Sequence, residues 1–171
     1  DAAIRRCARQ GSAVVGICGG YQMLGARIRD PQHAESSRDE VTGLGLLAVE
    51  TTFAGDKATH QARARIAARA GWLAGLEGQT VSGYEIHMGR TAGADASPWL
   101  RIVERGGAAV DVADGAMGAD GRIWGCYLHG LFENEGLRRA WLESLGWRRG
   151  GEGESAMGRL EESLDQLADV L

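Results

Sequence analysis

The stretch Val14-Val15-Gly16-Ile17-Cys18-Gly19-Gly20-Tyr21-Gln22-Met23-Leu24-Gly25 constrains the fold more than any other part of the chain. A short apolar run enters a cysteine set among glycines, and a helical pattern follows, which reads as a strand, a sharp turn and a helix. Gly16 to Gly20 spell G-x-C-x-G, the cysteine counterpart of a nucleophile elbow. At the tip of so tight a turn the nucleophile sits in strained backbone, and neighbours without a Cβ let strand and helix close around it. The turn aims the sulfur of Cys18 out of the sheet edge, beside a helix N-terminus that favours thiolate, and leaves the Gly19 N–H free as an oxyanion donor. A cysteine alone is more often a small buried residue ending a core strand. Three glycines within two residues of Cys18 favour the nucleophile instead.

A nucleophile on a strand-to-helix turn belongs to an α/β sheet, and 171 residues with 44% hydrophobic content suffice for one such domain. The mean hydropathy of −0.22 describes a soluble globule. No apolar run approaches the roughly 20 residues of a membrane-spanning helix. A net charge of −4 with both signs interspersed lacks the basic stripe of a nucleic-acid binder. Cys7, Cys18 and Cys126 lie far apart without a C-x-x-C pair, so neither a metal site nor a disulfide framework is indicated, and a reducing cytoplasm fits best. The chain opens at Asp1 inside a helical pattern, Ala2 to Gln10, and its first strand already carries the cysteine. Earlier strands are therefore expected upstream, in a longer polypeptide.

After the elbow helix, Arg29 to Gln32 breaks the pattern and Ser36 to Glu40 reads as a polar loop. Leu44 to Val49 reads as a strand extended by Thr51 to Phe53, pairing as a hairpin with Thr59 to Ala67. Thr80 to Met88 is a further strand, in which Tyr84, Ile86 and Met88 share one face and Glu85 and His87 the other. That polar face is either solvent or the rim of a site, and an ordinary solvent face is the simpler reading. Trp99 to Glu104 and Ala109 to Val112 are strands about the turn Gly106-Gly107, and Arg122 to Leu128 is a strand running into His129-Gly130. A helix is expected from Glu135 to Trp147, with Asn134 as N-cap and Leu137, Trp141 and Leu145 on its apolar face. Residues 150–171 read as a glycine-rich break followed by an acidic amphipathic helix docking on the domain.

A catalytic cysteine needs a base. His33 and His60 lie in loop or exposed-strand contexts and His87 is mid-strand, whereas His129 stands at a strand end before glycine, where α/β enzymes place catalytic groups. His129 is the candidate base.

Together these residues resemble the class I, triad-type glutamine amidotransferases, and within them the cobyric acid synthase type. The resemblance covers most of the chain. It rests on Gly16 to Gly25, on Gly43-Leu44-Gly45-Leu46-Leu47, on Gly83-Tyr84-Glu85-Ile86-His87-Met88-Gly89-Arg90-Thr91 and on Tyr127-Leu128-His129-Gly130-Leu131-Phe132. It implies one amidotransferase domain over residues 1–171, a mostly parallel, open, flavodoxin-like sheet flanked by helices and truncated at its N-terminus. In that scheme Cys18 attacks the glutamine carboxamide, His129 shuttles the proton to departing ammonia, the Gly19 N–H holds the oxyanion, and Gln22 occupies a position that contacts glutamine. It implies no metal or cofactor in this domain. ATP and magnesium, the corrinoid that receives the ammonia, and the loop giving a second oxyanion N–H would belong to parts of the polypeptide upstream. Many relatives carry a glutamate two residues after the histidine, where this chain has Leu131. Either a dyad suffices, or Glu85 or Glu133 orients His129, with Glu85 the better candidate because a strand holds it more rigidly. Other ligases with the same glutaminase, cobyrinic acid a,c-diamide synthase and lipid II isoglutaminyl synthase, remain alternatives, as does a non-catalytic binding domain of this fold.

Overall fold

A computed structural model describes residues 1–53, 58–69, 71–93 and 97–148. The amphipathic helix expected at 150–171 lies outside the described residues. Helix α1 (Ala2–Arg9), strand β1 (Val14–Ile17) and helix α2 (Gly19–Leu24) follow the expected order. After them come β2 (Arg27–Arg29), β3 (Glu40–Thr42), β4 (Glu50–Thr52), β5 (Ala58–Ile66) and a 3-10 turn at Gly71–Leu76. The second half holds β6 (Thr80–His87), β7 (Arg90–Ala92), β8 (Leu100–Arg105), β9 (Ala108–Asp114), β10 (Ala116–Met117), β11 (Ile123–Cys126), β12 (Leu128–His129), a 3-10 turn at Leu131–Glu133, and α3 (Glu135–Ser144).

The α/β class stands, but the expectation of a mostly parallel sheet is corrected. The described strands form three sheets, ordered β1-β11-β10, β12-β6-β5-β8-β9 and β3-β2-β4-β7. Only β1 with β11 and β2 with β4 run parallel among them. Parallel pairing needs a long crossover, and β1 and β11 are distant enough in sequence to have one, whereas a turn as short as Gly106-Gly107 forces β8 and β9 to run antiparallel.

Two apolar cores result. One lies on the five-stranded sheet, where Ala64, Ile66, Val81, Leu100 and Ile102 meet Leu137 and Trp141 of α3. Trp72, Trp99, Trp124 and Trp141 fill its centre with ring centroids 5.0–6.2 Å apart. The other core packs Tyr21 and Leu24 of α2 against Leu44, Leu47, Val49, Ala116 and Tyr127.

That second core explains why Leu44 to Val49 is not the strand its apolar run suggests. The amides of Leu44, Leu46 and Leu47 donate to the carbonyls of Met23 and Leu24, at 2.7, 2.9 and 3.0 Å, satisfying the open C-terminal end of α2. The segment is apolar because it covers a helix end. The hairpin with residues 59–67 is likewise replaced: β4 pairs with β2 and β7, while β5 pairs with β6 and β8. Arg27–Arg29, beside the expected break, is a strand, and Arg122 to Leu128 divides at Tyr127 into β11 and β12, which belong to different sheets. Helix α3 stops at Ser144, leaving Leu145 exposed; Asn134 holds the expected N-cap position, but its amide bonds the Ser82 N–H and C=O of β6, at 2.9 Å each, and makes no cap hydrogen bond to α3.

Candidate active site

Cys18 occupies the joint between β1 and α2 with φ 55° and ψ −116°, a conformation that costs a residue with a Cβ on the order of 1–3 kcal/mol. The surroundings hold it there. Its N–H donates to Cys126 O at 2.9 Å, and its carbonyl accepts from the Gln22 N–H at 3.1 Å. Gly16 makes the closure possible, since a Cβ on it would stand 2.6 Å from Gly20 O and 2.7 Å from Leu24 Cδ1. Gly19 and Gly20 differ: a Cβ on either would meet nothing within 4 Å, and both are exposed. The first turn of α2, next to Cys18, therefore has open space on the side where these Cβ atoms would stand. The Cys18 thiol donates to Ile86 O of β6 at 3.1 Å.

His129 ends β12, opposite Tyr84 in the antiparallel pairing with β6. Its ring stacks on that of Tyr84 with centroids 4.9 Å apart and planes 9° from parallel. Its Nε2 is buried and has no hydrogen-bond partner among the described residues. One strand thus touches both candidates: Ile86 O receives the Cys18 thiol, and Tyr84, two residues earlier, lies against the His129 imidazole.

Gln22 is buried, and its amide nitrogen donates to Met88 O at 2.9 Å and to the Tyr127 hydroxyl at 3.3 Å. Tyr127 also shares a 2.5 Å hydrogen bond with Thr91, and Thr91 one of 2.7 Å with Thr51. This chain of polar groups ties α2 to β4 and β7. Sequence reasoning missed it, although Thr91 and Tyr127 stand inside two of the motifs quoted above.

The assignment of β6 faces is reversed. Tyr84 and Ile86 are 44% and 38% exposed, whereas Glu85 is 1% exposed. Glu85 therefore does not face solvent, and it does not orient His129. Register pairs Tyr84 with His129 and Glu85 with Leu128, and successive residues of a strand point to opposite faces, so Glu85 lies on the face away from the His129 side chain. Its carboxylate is instead gripped by Arg105 of β8, through Nε at 2.6 Å and the terminal nitrogen at 2.9 Å. His87 Nε2 stands 3.5 Å from Glu85 Oε1, ion-pair range but too long for a good hydrogen bond. Burial alone would push the Glu85 carboxyl up, but His87 and Arg105 outweigh it and bring it down to about 2. Nearby, Asp114 accepts the N–H groups of Gly115 and Tyr127, at 2.7 and 3.1 Å, and burial pushes its carboxyl up to about 6. Arg105 carries no local sequence signal, because β5 lies between β8 and β6 and only the assembled sheet brings it to Glu85.

Among the described residues no three His, Cys, Asp or Glu side chains converge as a metal site, and no helix is long and apolar enough to cross a membrane. Cys7, Cys18 and Cys126 are free thiols.

A family model described as the CobB/CobQ-like glutamine amidotransferase domain matches residues 1–137. A cobyric acid synthase from Moorella thermoacetica is 42% identical over 171 residues, covering 100% of this chain and 33% of that protein. One from Pelotomaculum thermopropionicum is 51% identical over 162 residues, 94% of this chain and 30% of that protein. The chain thus spans about a third of the length of these relatives. Among solved structures, a chain of PurLQS from Thermotoga maritima superposes with a TM-score of 0.57 at 16% identity, over 83% of this chain and 66% of that one, a likeness of fold.

Proposed function

Because the chain belongs to the CobB/CobQ-like glutamine amidotransferase domain family, we propose that it is the glutaminase of a cobyric acid synthase, with Cys18 as nucleophile and His129 as acid and base. The observation that carries the reading is the elbow: a strained cysteine opening α2, its sulfur touching the strand that also carries the neighbour of a histidine with an unpartnered Nε2.

The chemistry follows from an amide being a poor electrophile. Cys18 loses its proton to His129 as sulfur attacks the carboxamide carbon of glutamine, and the negative charge on oxygen falls to the Gly19 N–H. Collapse breaks the C–N bond, His129 returns the proton to the departing nitrogen, and ammonia leaves a glutamyl thioester. Water, deprotonated by His129, then attacks the thioester to release glutamate and restore the thiol. Gln22 serves this site by fixing α2 to Met88 and Tyr127. The cytoplasm, with its reduced thiols, suits this mechanism.

The rest of the longer polypeptide is assigned the synthetase role. That part would hold ATP and magnesium, which would supply activation of side-chain carboxylates of adenosylcobyrinic acid a,c-diamide, and those carboxylates would receive the ammonia made here. The relatives' names support this acceptor over that of another ligase. In the whole polypeptide, Cys18→Ser abolishes amidation with glutamine and leaves amidation with ammonium salts near the parental rate, since ammonia bypasses only this domain. Undiminished amidation with glutamine rejects the nucleophile assignment, equal loss with both nitrogen donors means that the damage is to folding or to the synthetase, and turnover with a different acceptor rejects the cobyric acid reading.

A further inference from the structure

A histidine that moves protons has to be held in one orientation, and the usual means is a carboxylate on its second nitrogen. Among the described residues no carboxylate, Glu133 included, bonds to His129, and its Nε2 has no partner. The position two residues on is Leu131, apolar and 2% exposed. Glu85 is committed to Arg105 on the other face of the sheet, and Asn134, on the same side of the chain turn, is committed to the Ser82 backbone. What lies against the imidazole is the phenol ring of Tyr84, nearly parallel at 4.9 Å.

We propose that Tyr84 is the positioning residue of His129, its stacked ring doing what a carboxylate does in a triad. The proposal rests on His129 being the base. The terminal torsion of a histidine is soft, and a flat neighbour restricts it to one plane. A carboxylate occupies a nitrogen, whereas stacking leaves both nitrogens in the free plane, in keeping with an Nε2 that is buried yet unpaired. An aromatic face also favours the imidazolium that exists between taking the proton from sulfur and giving it to nitrogen. The backbone is built for this contact. A Cβ on Gly83 would stand 2.1 Å from His129 O, so glycine there permits the close approach of β6 and β12 that lays one ring on the other. Tyr84 is 44% exposed, so little of its area serves the core, and the contact is made by the ring rather than the hydroxyl.

The test compares Tyr84→Ala, Tyr84→Phe and His129→Ala in the whole polypeptide, by steady-state glutamine hydrolysis and thermal unfolding. Tyr84→Ala is expected to lower kcat at least tenfold with KM within threefold of the parent, because orientation acts on the chemical step. Tyr84→Phe should restore kcat to within twofold. If Tyr84→Ala unfolds early, Tyr84→Leu, which keeps apolar bulk without a flat face, is judged by the same criterion. The proposal is overturned if the Ala or Leu variant keeps parental kcat, if the loss appears only in KM, or if Tyr84→Phe is as impaired as Tyr84→Ala. His129→Ala separates the two levels: substantial turnover in that variant overturns the base assignment itself. Its inactivity beside a fully active Tyr84→Ala overturns only the stacking role.

Discussion

Replacing Glu85 by glutamine tests whether this residue belongs to the fold or to the chemistry. Its carboxylate is 1% exposed and held in a two-point grip by Arg105. The folded protein brings the carboxyl from its ordinary 4.5 to about 2, against a burial effect that alone would raise it. Each power of ten in proton affinity is worth about 1.4 kcal/mol, so the ionised group contributes about 3 kcal/mol at neutral pH. Breaking a buried pair by removing one partner costs about 3–5 kcal/mol, which agrees. With a urea slope of about 2 kcal/mol per molar, Glu85→Gln should lower the unfolding midpoint by roughly 1–2 M at pH 7. The fluorescence of the buried tryptophan cluster reports the transition. The sign with pH follows from an acid made stronger by folding. Its contribution is complete above the ordinary 4.5 and disappears as pH falls toward 2, so the gap between parent and variant closes across that window. An unchanged midpoint at pH 7, or a gap that is undiminished at pH 3, refutes the ion-pair account. A folded Glu85→Gln protein that has lost tenfold or more in kcat refutes the argument that Glu85 faces away from His129.

Gly16→Ala forces a methyl against Gly20 O and Leu24 Cδ1 and should destabilise by about 3 kcal/mol, at the upper end for overpacking, since one obstacle is backbone. Gly19→Ala meets nothing within 4 Å and should stay within about 1 kcal/mol of the parent; equal effects in thermal unfolding would contradict the close-approach reading. Asp114, an acid made weaker by burial, stabilises fully below its ordinary 3.8 and loses that contribution as pH rises through about 6. Asp114→Asn should remove a fall in stability of about 2–3 kcal/mol between those pH values, and a parental slope in the variant would show that another group titrates there.

The elbow was legible from residues alone because its cause is local: a strained cysteine between strand and helix needs a close-packed glycine at Gly16, and this is written within five residues. His129 at a strand end, the β8 to β9 hairpin and the start of α3 were legible for the same reason, being short-range patterns of apolar spacing and glycine. What tertiary structure decided is which side of each pattern is buried. Alternation along β6 separates Glu85 and His87 from Tyr84 and Ile86. The face that turns inward depends on β5, β8 and the elbow packing against it, and Arg105, twenty residues away, makes burial of a carboxylate tolerable. The apolar run Leu44 to Val49 could cover a helix end as readily as form a strand, and only the open carbonyls of α2 settled it. Stacking of Tyr84 on His129 likewise requires a register between two strands more than forty residues apart, and no pattern within either strand encodes that register.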